Sequence, residues 1–141
     1  MPTRSSSAQW SGNLARWSGT MSLGSGAFEG SYSFASRFES GEGTNPEELI
    51  AAAHAGCFSM ALALGMSEAG HEPESVQTTA VVHLDKDDAG FSITRSDLTT
   101  EVKVDGLDDA EFQQYAEEAE KNCPVSRALG AIEITLDAKL A

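Results

Sequence analysis

Basic residues are scarce in this chain of 141 residues. Nine lysines and arginines stand against 22 aspartates and glutamates, which gives a formal net charge of −13 at pH 7. Nucleic acids and anionic membranes both attract positively charged surfaces, so this balance argues against either of them as a partner. The acidic excess favours solubility and does not by itself indicate a function.

Cysteine is nearly absent, since Cys57 and Cys123 are the only two in the chain. They are far apart in the sequence, so the closely spaced pair typical of structural zinc sites is missing. Residues 1–7 are polar and lack the apolar core of a signal peptide. We therefore expect a cytoplasmic protein, in a reducing compartment that disfavours a standing disulfide and allows a transient, catalytic one.

The length fits one domain with a buried core, and we predict a single domain over residues 1–141 with residues 1–7 disordered or loosely ordered. Residues 8–38 are rich in glycine and serine and predict two or three short strands. The stretches with strand-like alternation are Ala8–Trp10, Leu14–Trp17, Thr20–Leu23 and Tyr32–Phe38.

The rest of the chain alternates between helical and strand patterns. A long helix is followed by three alternating runs, a second helix and a final strand: these are 46–68, Val76–Leu84, Phe91–Ser96, Leu98–Val104, Asp108–Asn122 and Ala131–Ala138. Residues 85–90 form the predicted hairpin loop between the first two runs. This order indicates an α+β fold of mostly antiparallel strands.

The long helix has clear start and stop signals. Thr44–Glu48 combines capping residues, a first-turn proline and two carboxylates, and Gly70 suits the C-terminal end. The segment Leu49–Met66 is apolar nearly all round, so we expect it to be buried. A membrane span is the competing interpretation, but His54, Gly56, the small alanines and the lack of basic flanks weaken it. We therefore expect no membrane association.

Each cysteine lies in a distinctive position. Cys57 is midway along the long apolar helix, and Cys123 ends the second helix, directly before Pro124. Three interpretations are open at this point. The two thiols are inert core residues, or they bind zinc together with His54, or one is a reactive thiol and the other its resolving partner.

A reactive Cys57 would need a cation from elsewhere in the chain. A buried thiol titrates high and reacts slowly, and the helix around Cys57 carries no basic residue. Arg37 is the best placed of the basic residues, just before the loop that leads into the helix. A buried arginine needs a carboxylate partner, for which Glu47 and Glu48 are the candidates.

The length of the helix constrains how these groups can meet. Glu47 and Cys57 are ten positions apart, or about 15 Å along a straight helix at about 1.5 Å per residue. One helix cannot bring both groups to one site. If they share a site, the carboxylate comes from a second copy whose helix packs antiparallel, which predicts an intertwined homodimer.

Several segments resemble one known family. The run from Gly43 to Leu62 closely resembles the central helix of the OsmC/Ohr family of thiol peroxidases. Three further segments resemble that family in the same order, and the similarity extends from Trp10 to the end of the chain: they are 84–94, 123–126 and 133–136.

The resemblance implies a fold and an activity. The fold would be an obligate homodimer of interleaved α+β subunits, with bent antiparallel sheets packed around two long central helices. The activity would be that of a two-cysteine, peroxiredoxin-like hydroperoxide reductase, acting on organic hydroperoxides and more weakly on hydrogen peroxide. No cofactor and no metal is implied. An external dithiol, such as the lipoyl group of a lipoylated protein, would restore the thiols.

The resemblance also implies roles for individual residues. Cys57 matches the peroxidatic cysteine, Cys123 the resolving cysteine and Glu47 the glutamate of the family site. Arg37 matches the arginine of the OsmC branch, and Arg16, in a Gly-rich stretch as in the Ohr branch, is the fallback. The alternative function is a non-catalytic, stress-induced homodimeric binding or structural module with inert thiols.

Overall fold

The computed structural model of the chain covers residues 1–141 and contains six strands and four helices. In chain order these are β1 (Ser6–Trp10), β2 (Ser18–Leu23), β3 (Glu29–Ser33), α1 (Phe34–Phe38), α2 (Pro46–Glu68), β4 (Pro73–Asp87), β5 (Gly90–Val104), α3 (Asp109–Asn122), α4 (Pro124–Ala128) and β6 (Glu133–Leu140). The α+β class is confirmed. The chain forms two compact units, residues 1–49 and residues 50–141, and each is described by itself.

The first unit is built on a small antiparallel sheet with the strand order β1-β2-β3. β2 and β3 are joined by a tight turn at Gly26, whose φ of 78° is a left-handed conformation that glycine adopts without strain. The prediction of short strands here is confirmed in part. Residues 14–16 form a turn, and β1 begins at Ser6, inside the stretch predicted to be loosely ordered.

The last predicted strand of this region is wrong over Phe34–Phe38, which is the helix α1. The reason is a capping box. The Ser33 hydroxyl accepts the Ser36 backbone N–H at 3.1 Å, and the Ser36 hydroxyl accepts the Ser33 N–H at 2.8 Å. These two bonds satisfy donors that a helix start leaves open, so the chain turns out of β3 directly into a helix.

The second unit contains a sheet with the strand order β4-β5-β6, in which β5 pairs antiparallel with β4 and parallel with β6. The two runs Phe91–Ser96 and Leu98–Val104, predicted as separate strands, are one strand of 15 residues. His83 pairs with Arg95 while the next residue pairs with Ile93, so Thr94 is skipped. This bulge shifts the alternation of inward- and outward-facing side chains by one residue. The sequence of one strand therefore resembles that of two.

The helix α2 begins and ends where the sequence predicts. Gly70 has a φ of 90°, and the His71 backbone N–H donates to the Met66 carbonyl at 2.8 Å, as in a Schellman C-cap. Contrary to the expectation of burial all round, one face is open, because Met60 is 77% exposed and Leu64 is 60% exposed. By length and composition α2 could cross a membrane, a test that core helices also pass.

The opposite face of α2 is part of the core of the second unit. This core combines residues of α2, β5 and α3, among them Phe58, Leu62, Met66, Leu98, Val102, Phe112 and Ala116. Cys123 is fully buried in the same core, and Cys57 packs against its edge. Packing α3 and α4 against this core places the Cys123 segment beside the middle of α2.

Candidate active site

The structure brings the four predicted site residues together as two pairs, one in each unit. In the first unit, Arg37 Nε donates to Glu47 Oε1 at 2.7 Å and Arg37 Nη2 donates to Glu47 Oε2 at 3.3 Å. The two parallel bonds fix the plane of the guanidinium as well as its position. The Glu47 side chain is 9% exposed and the Arg37 side chain 36%, so the charged fork keeps an accessible side.

Short-range hydrogen bonds hold α1 against the start of α2. The Ser36 hydroxyl donates to the Thr44 carbonyl at 2.8 Å, and Asn45 Nδ2 donates to the Ser36 carbonyl at 2.9 Å. Glu48, the second carboxylate considered for Arg37, instead accepts a bond from the Thr44 hydroxyl at 2.8 Å. These hydrogen bonds fix the loop between α1 and α2, and with it the relative positions of Arg37 and Glu47.

The second pair consists of the two cysteines. Cys57 lies on α2 and Cys123 joins α3 to α4, and both are free thiols. Cys123 Sγ lies 2.8 Å from Cys57 Sγ. A disulfide requires the sulfurs to approach to about 2.05 Å, so only a small movement separates this arrangement from a covalent bond.

The environment of Cys57 keeps its thiol protonated. Burial raises the pKa of Cys57, the contact with the Cys123 thiol raises it further, and a backbone N–H bond from Val125 acts in the opposite direction. Neither of these two neighbours is a cation. Within residues 50–141, a reactive Cys57 therefore still lacks the positive group whose need was predicted from the sequence.

The zinc interpretation needs a free ring nitrogen on His54, and the structure instead pairs both nitrogens with serine hydroxyls. His54 Nδ1 pairs with Ser96 Oγ at 2.8 Å and its Nε2 with Ser126 Oγ at 2.7 Å, which leaves no ring nitrogen for a metal. No group of three or more histidine, cysteine or acidic side chains is arranged to hold a metal ion. Neither serine was predicted from the sequence.

An open groove of about 680 Å³ runs beside Cys57, between α2 and α3. Its floor and walls are mainly apolar, and its lining includes Met60, Ala61, Leu64, Tyr115, Ala119 and Pro124. Glu68 and Glu118 add negative charge to its lining. The groove therefore offers an apolar surface that ends at a thiol.

The fallback arginine, Arg16, lies in the exposed turn between β1 and β2, where its backbone N–H is held by Asn13 Oδ1 at 3.0 Å. Its side chain takes part in none of the salt bridges of the chain. Of the two arginines considered, Arg37 alone has the carboxylate partner that the sequence predicts.

Comparison with known proteins defines the class. A family model for OsmC-like proteins matches residues 39–137, and the chain belongs to this family. It is 52% identical over 134 residues to the peroxiredoxin OsmC of Escherichia coli, covering 94% of this chain and 93% of that protein. It is 36% identical over 98 residues to an organic hydroperoxide resistance protein of Xanthomonas axonopodis, covering 68% and 67%.

Solved structures agree on the fold. The crystal structure of the organic hydroperoxide resistance protein OhrB of Bacillus subtilis matches with a TM-score of 0.71 at 28% identity, covering 95% of this chain and 97% of that one. An OsmC-like protein of unknown function from Vibrio cholerae matches with a TM-score of 0.76 at 17% identity, covering 98% and 99%. The OsmC/Ohr fold expected from the resemblance is confirmed.

Proposed function

We propose that the chain is a thiol-dependent peroxidase that reduces organic hydroperoxides to alcohols, and hydrogen peroxide more weakly to water. The observation that carries the proposal is the pair of free thiols, Cys57 and Cys123, with sulfurs 2.8 Å apart beside an apolar groove. The similarity to a peroxiredoxin and to organic hydroperoxide resistance proteins supports the same activity.

The first step oxidises Cys57. Its thiolate attacks the distal oxygen of the hydroperoxide, so that a sulfur–oxygen bond forms while the oxygen–oxygen bond breaks. The alkoxide that leaves takes up a proton and departs as the alcohol. Cys57 is then a sulfenic acid, and the two electrons it has lost have reduced the peroxide. The neighbouring groove suits the alkyl part of such a substrate.

The second step joins the two cysteines. The Cys123 thiol attacks the Cys57 sulfenic acid, which forms the disulfide and releases water. An external dithiol then reduces this disulfide by exchange and becomes a disulfide itself. We assign this role to a dithiol such as a lipoyl group carried by another protein, in the cytoplasm.

Arg37 supplies the cation that Cys57 lacks. Burial raises the pKa of Cys57, and a guanidinium beside the sulfur would favour the thiolate and stabilise charge on the leaving oxygen. Glu47 aims the guanidinium through its two bonds to Arg37. The helix α2 is continuous, so Glu47 and Cys57 of one chain lie about 15 Å apart along it. The arginine and glutamate that serve each Cys57 then come from a second copy in an intertwined homodimer.

The exposed face of α2 supports such a dimer. Met60 and Leu64 are 77% and 60% exposed in the single chain, although they belong to a long apolar helix. Large apolar side chains exposed side by side mark contact surfaces. A second α2 packed on this face would also narrow the open groove beside Cys57.

The test is peroxide consumption by Cys57→Ser in the presence of an excess of dithiol. We expect consumption to fall to the background rate, because a serine at this position cannot form a sulfenic acid. Cys123→Ser is the matched control, since it removes the other buried thiol. Assayed without the dithiol, it should still reduce one equivalent of peroxide rapidly and then stall or oxidise further, because no thiol remains to reduce the Cys57 sulfenic acid. Unchanged consumption by Cys57→Ser would overturn the proposal and leave the alternative of a non-catalytic module.

A further inference from the structure

His54 is a buried histidine to which the proposed chemistry gives no task. Its side chain is fully buried, as is that of Ser96, and Ser126 is 4% exposed. A neutral imidazole has one donor and one acceptor nitrogen, and the two serine hydroxyls satisfy both. A fully satisfied polar network in a core fixes the position of every group in it.

The network links the same two segments that the cysteines link. His54 lies three residues before Cys57 on α2, and residues three apart lie on the same side of a helix. Ser126 lies three residues after Cys123. The His54–Ser126 bond of 2.7 Å and the Cys57–Cys123 contact of 2.8 Å are therefore two neighbouring cross-links between α2 and the α4 segment.

The α4 segment is short, and besides these two cross-links it is held by the packing of Val125 against the core. It is a helix of five residues whose N-terminus has no side-chain cap, and a helix this short is not stable on its own. Pro124 lacks a backbone N–H, and the following N–H, that of Val125, is bonded to the sulfur of Cys57. If α4 moved away from α2, Cys57 would lose both Val125 and Cys123 as neighbours.

The charge of His54 does not explain its position near the thiol. Burial lowers the pKa of His54, so the ring is neutral at neutral pH and provides no cation for the Cys57 thiolate. His54 therefore acts on the cysteine pair through the position of its hydrogen bonds and not through its charge. Ser96, on the central strand β5, orients the ring from the side opposite Ser126.

We propose that His54 and Ser126 are positioning residues for the resolving step, because their hydrogen bond holds Cys123 against Cys57 while the disulfide forms. This inference rests on the proposed peroxidase function. Two reactions compete for the Cys57 sulfenic acid. Attack by the Cys123 thiol gives the disulfide and water, and attack on a second hydroperoxide gives the sulfinic acid and an alcohol. Loss of the hydrogen bond between His54 and Ser126 would slow disulfide formation. It would leave the attack on a second hydroperoxide unchanged.

The experiment measures the product of Cys57 oxidation across a range of cumene hydroperoxide concentrations, by intact mass under denaturing conditions. The disulfide removes two hydrogen atoms and the sulfinic acid adds two oxygen atoms, so one spectrum separates them. The variants are Ser126→Ala and His54→Gln. The control is Thr100→Val, which removes a buried hydroxyl bonded to Thr78 Oγ1 at 2.9 Å, away from the bond between His54 and Ser126.

We expect the peroxide concentration that gives half sulfinic acid to fall about three- to tenfold in Ser126→Ala and His54→Gln, the effect of one lost hydrogen bond. The rate of the first oxidation should stay within about twofold of wild type, and Thr100→Val should resemble wild type in both readouts. An unchanged product ratio in both variants would overturn the inference, as would an equal change in Thr100→Val. Wild-type protein that forms no disulfide at all would instead overturn the proposed function.

Discussion

At the scale of single residues, the proposed reactivity depends on two opposing effects at Cys57. Burial and the Cys123 thiol raise its pKa, and the Val125 N–H lowers it without a full charge. A thiol in this state is mostly protonated at neutral pH, and the thiolate is the nucleophile. The Arg37 guanidinium, oriented by Glu47, is the group we propose to reverse this balance.

Replacing Arg37 with alanine tests that balance through the pH dependence. The rate of Cys57 oxidation at pH 7 should fall about a hundredfold, the usual effect of losing one charge-stabilising group. The pKa of Cys57 then stays raised, so the rate should recover as the pH increases and the thiolate fraction grows. Stopped-flow measurements between about pH 6 and about pH 10, a range that spans the usual thiol pKa, give both the rate at pH 7 and its dependence on pH.

The matched control is Arg16→Ala, which removes the other candidate arginine. It should keep the wild-type rate and the wild-type pH profile. Loss of activity in Arg16→Ala together with normal rates in Arg37→Ala would transfer the role to Arg16 and contradict the assignment made here.

Some residue contacts could be predicted from the sequence and others could not. The need of a partly buried arginine for a carboxylate limited the partner of Arg37 to Glu47 or Glu48, and the family resemblance then favoured Glu47. The partners of His54 could not be found in this way, because Ser96 and Ser126 are distant in sequence and serine is common everywhere. A weak signal existed, since Ser96 occupies an inward-facing position of β5, where apolar residues are usual.

At the scale of elements, the helix α2 carries most of the site. It holds Glu47 in its first turn, His54 and Cys57 in its middle and the exposed Met60 and Leu64 further on. Its two ends have strong local signals, which is why its bounds could be predicted closely. The strand β5 was predicted less well because its bulge at Thr94 depends on pairing with β4, which no local pattern reveals.

The end of α2 gives a stability prediction. Gly70→Ala should lower the free energy of unfolding by about 1–2 kcal/mol, because alanine must adopt the left-handed conformation that glycine holds there. Gly70→Asn should cost less, since asparagine tolerates this conformation. Urea unfolding at one fixed protein concentration measures both. Equal stability of wild type and Gly70→Ala would contradict the assigned C-cap.

At the scale of the whole molecule, the proposed site requires a second copy. One chain leaves an apolar face of α2 open, and the groove beside Cys57 is open with it. The single-domain organisation predicted for residues 1–141 also stays a prediction, because the single chain divides into two compact units.

The dimer can be tested on the exposed face of α2. Wild-type protein should sediment at twice the mass of one chain, and Leu64→Glu should shift it towards the monomer, since a carboxylate buried at an apolar contact is unfavourable. Val81→Glu is the control, because Val81 is 52% exposed on β4 and lies outside α2. A monomeric wild type would contradict both the dimer and the shared site.

The central claim is that Cys57 and Cys123 form a disulfide when the protein reduces peroxide. The most direct test is a thiol count on the reduced protein before and after one equivalent of cumene hydroperoxide, combined with intact mass under denaturing conditions. We predict the loss of both thiols and of two hydrogen atoms per chain. Retention of both thiols at micromolar peroxide would contradict the mechanism and leave only the fold.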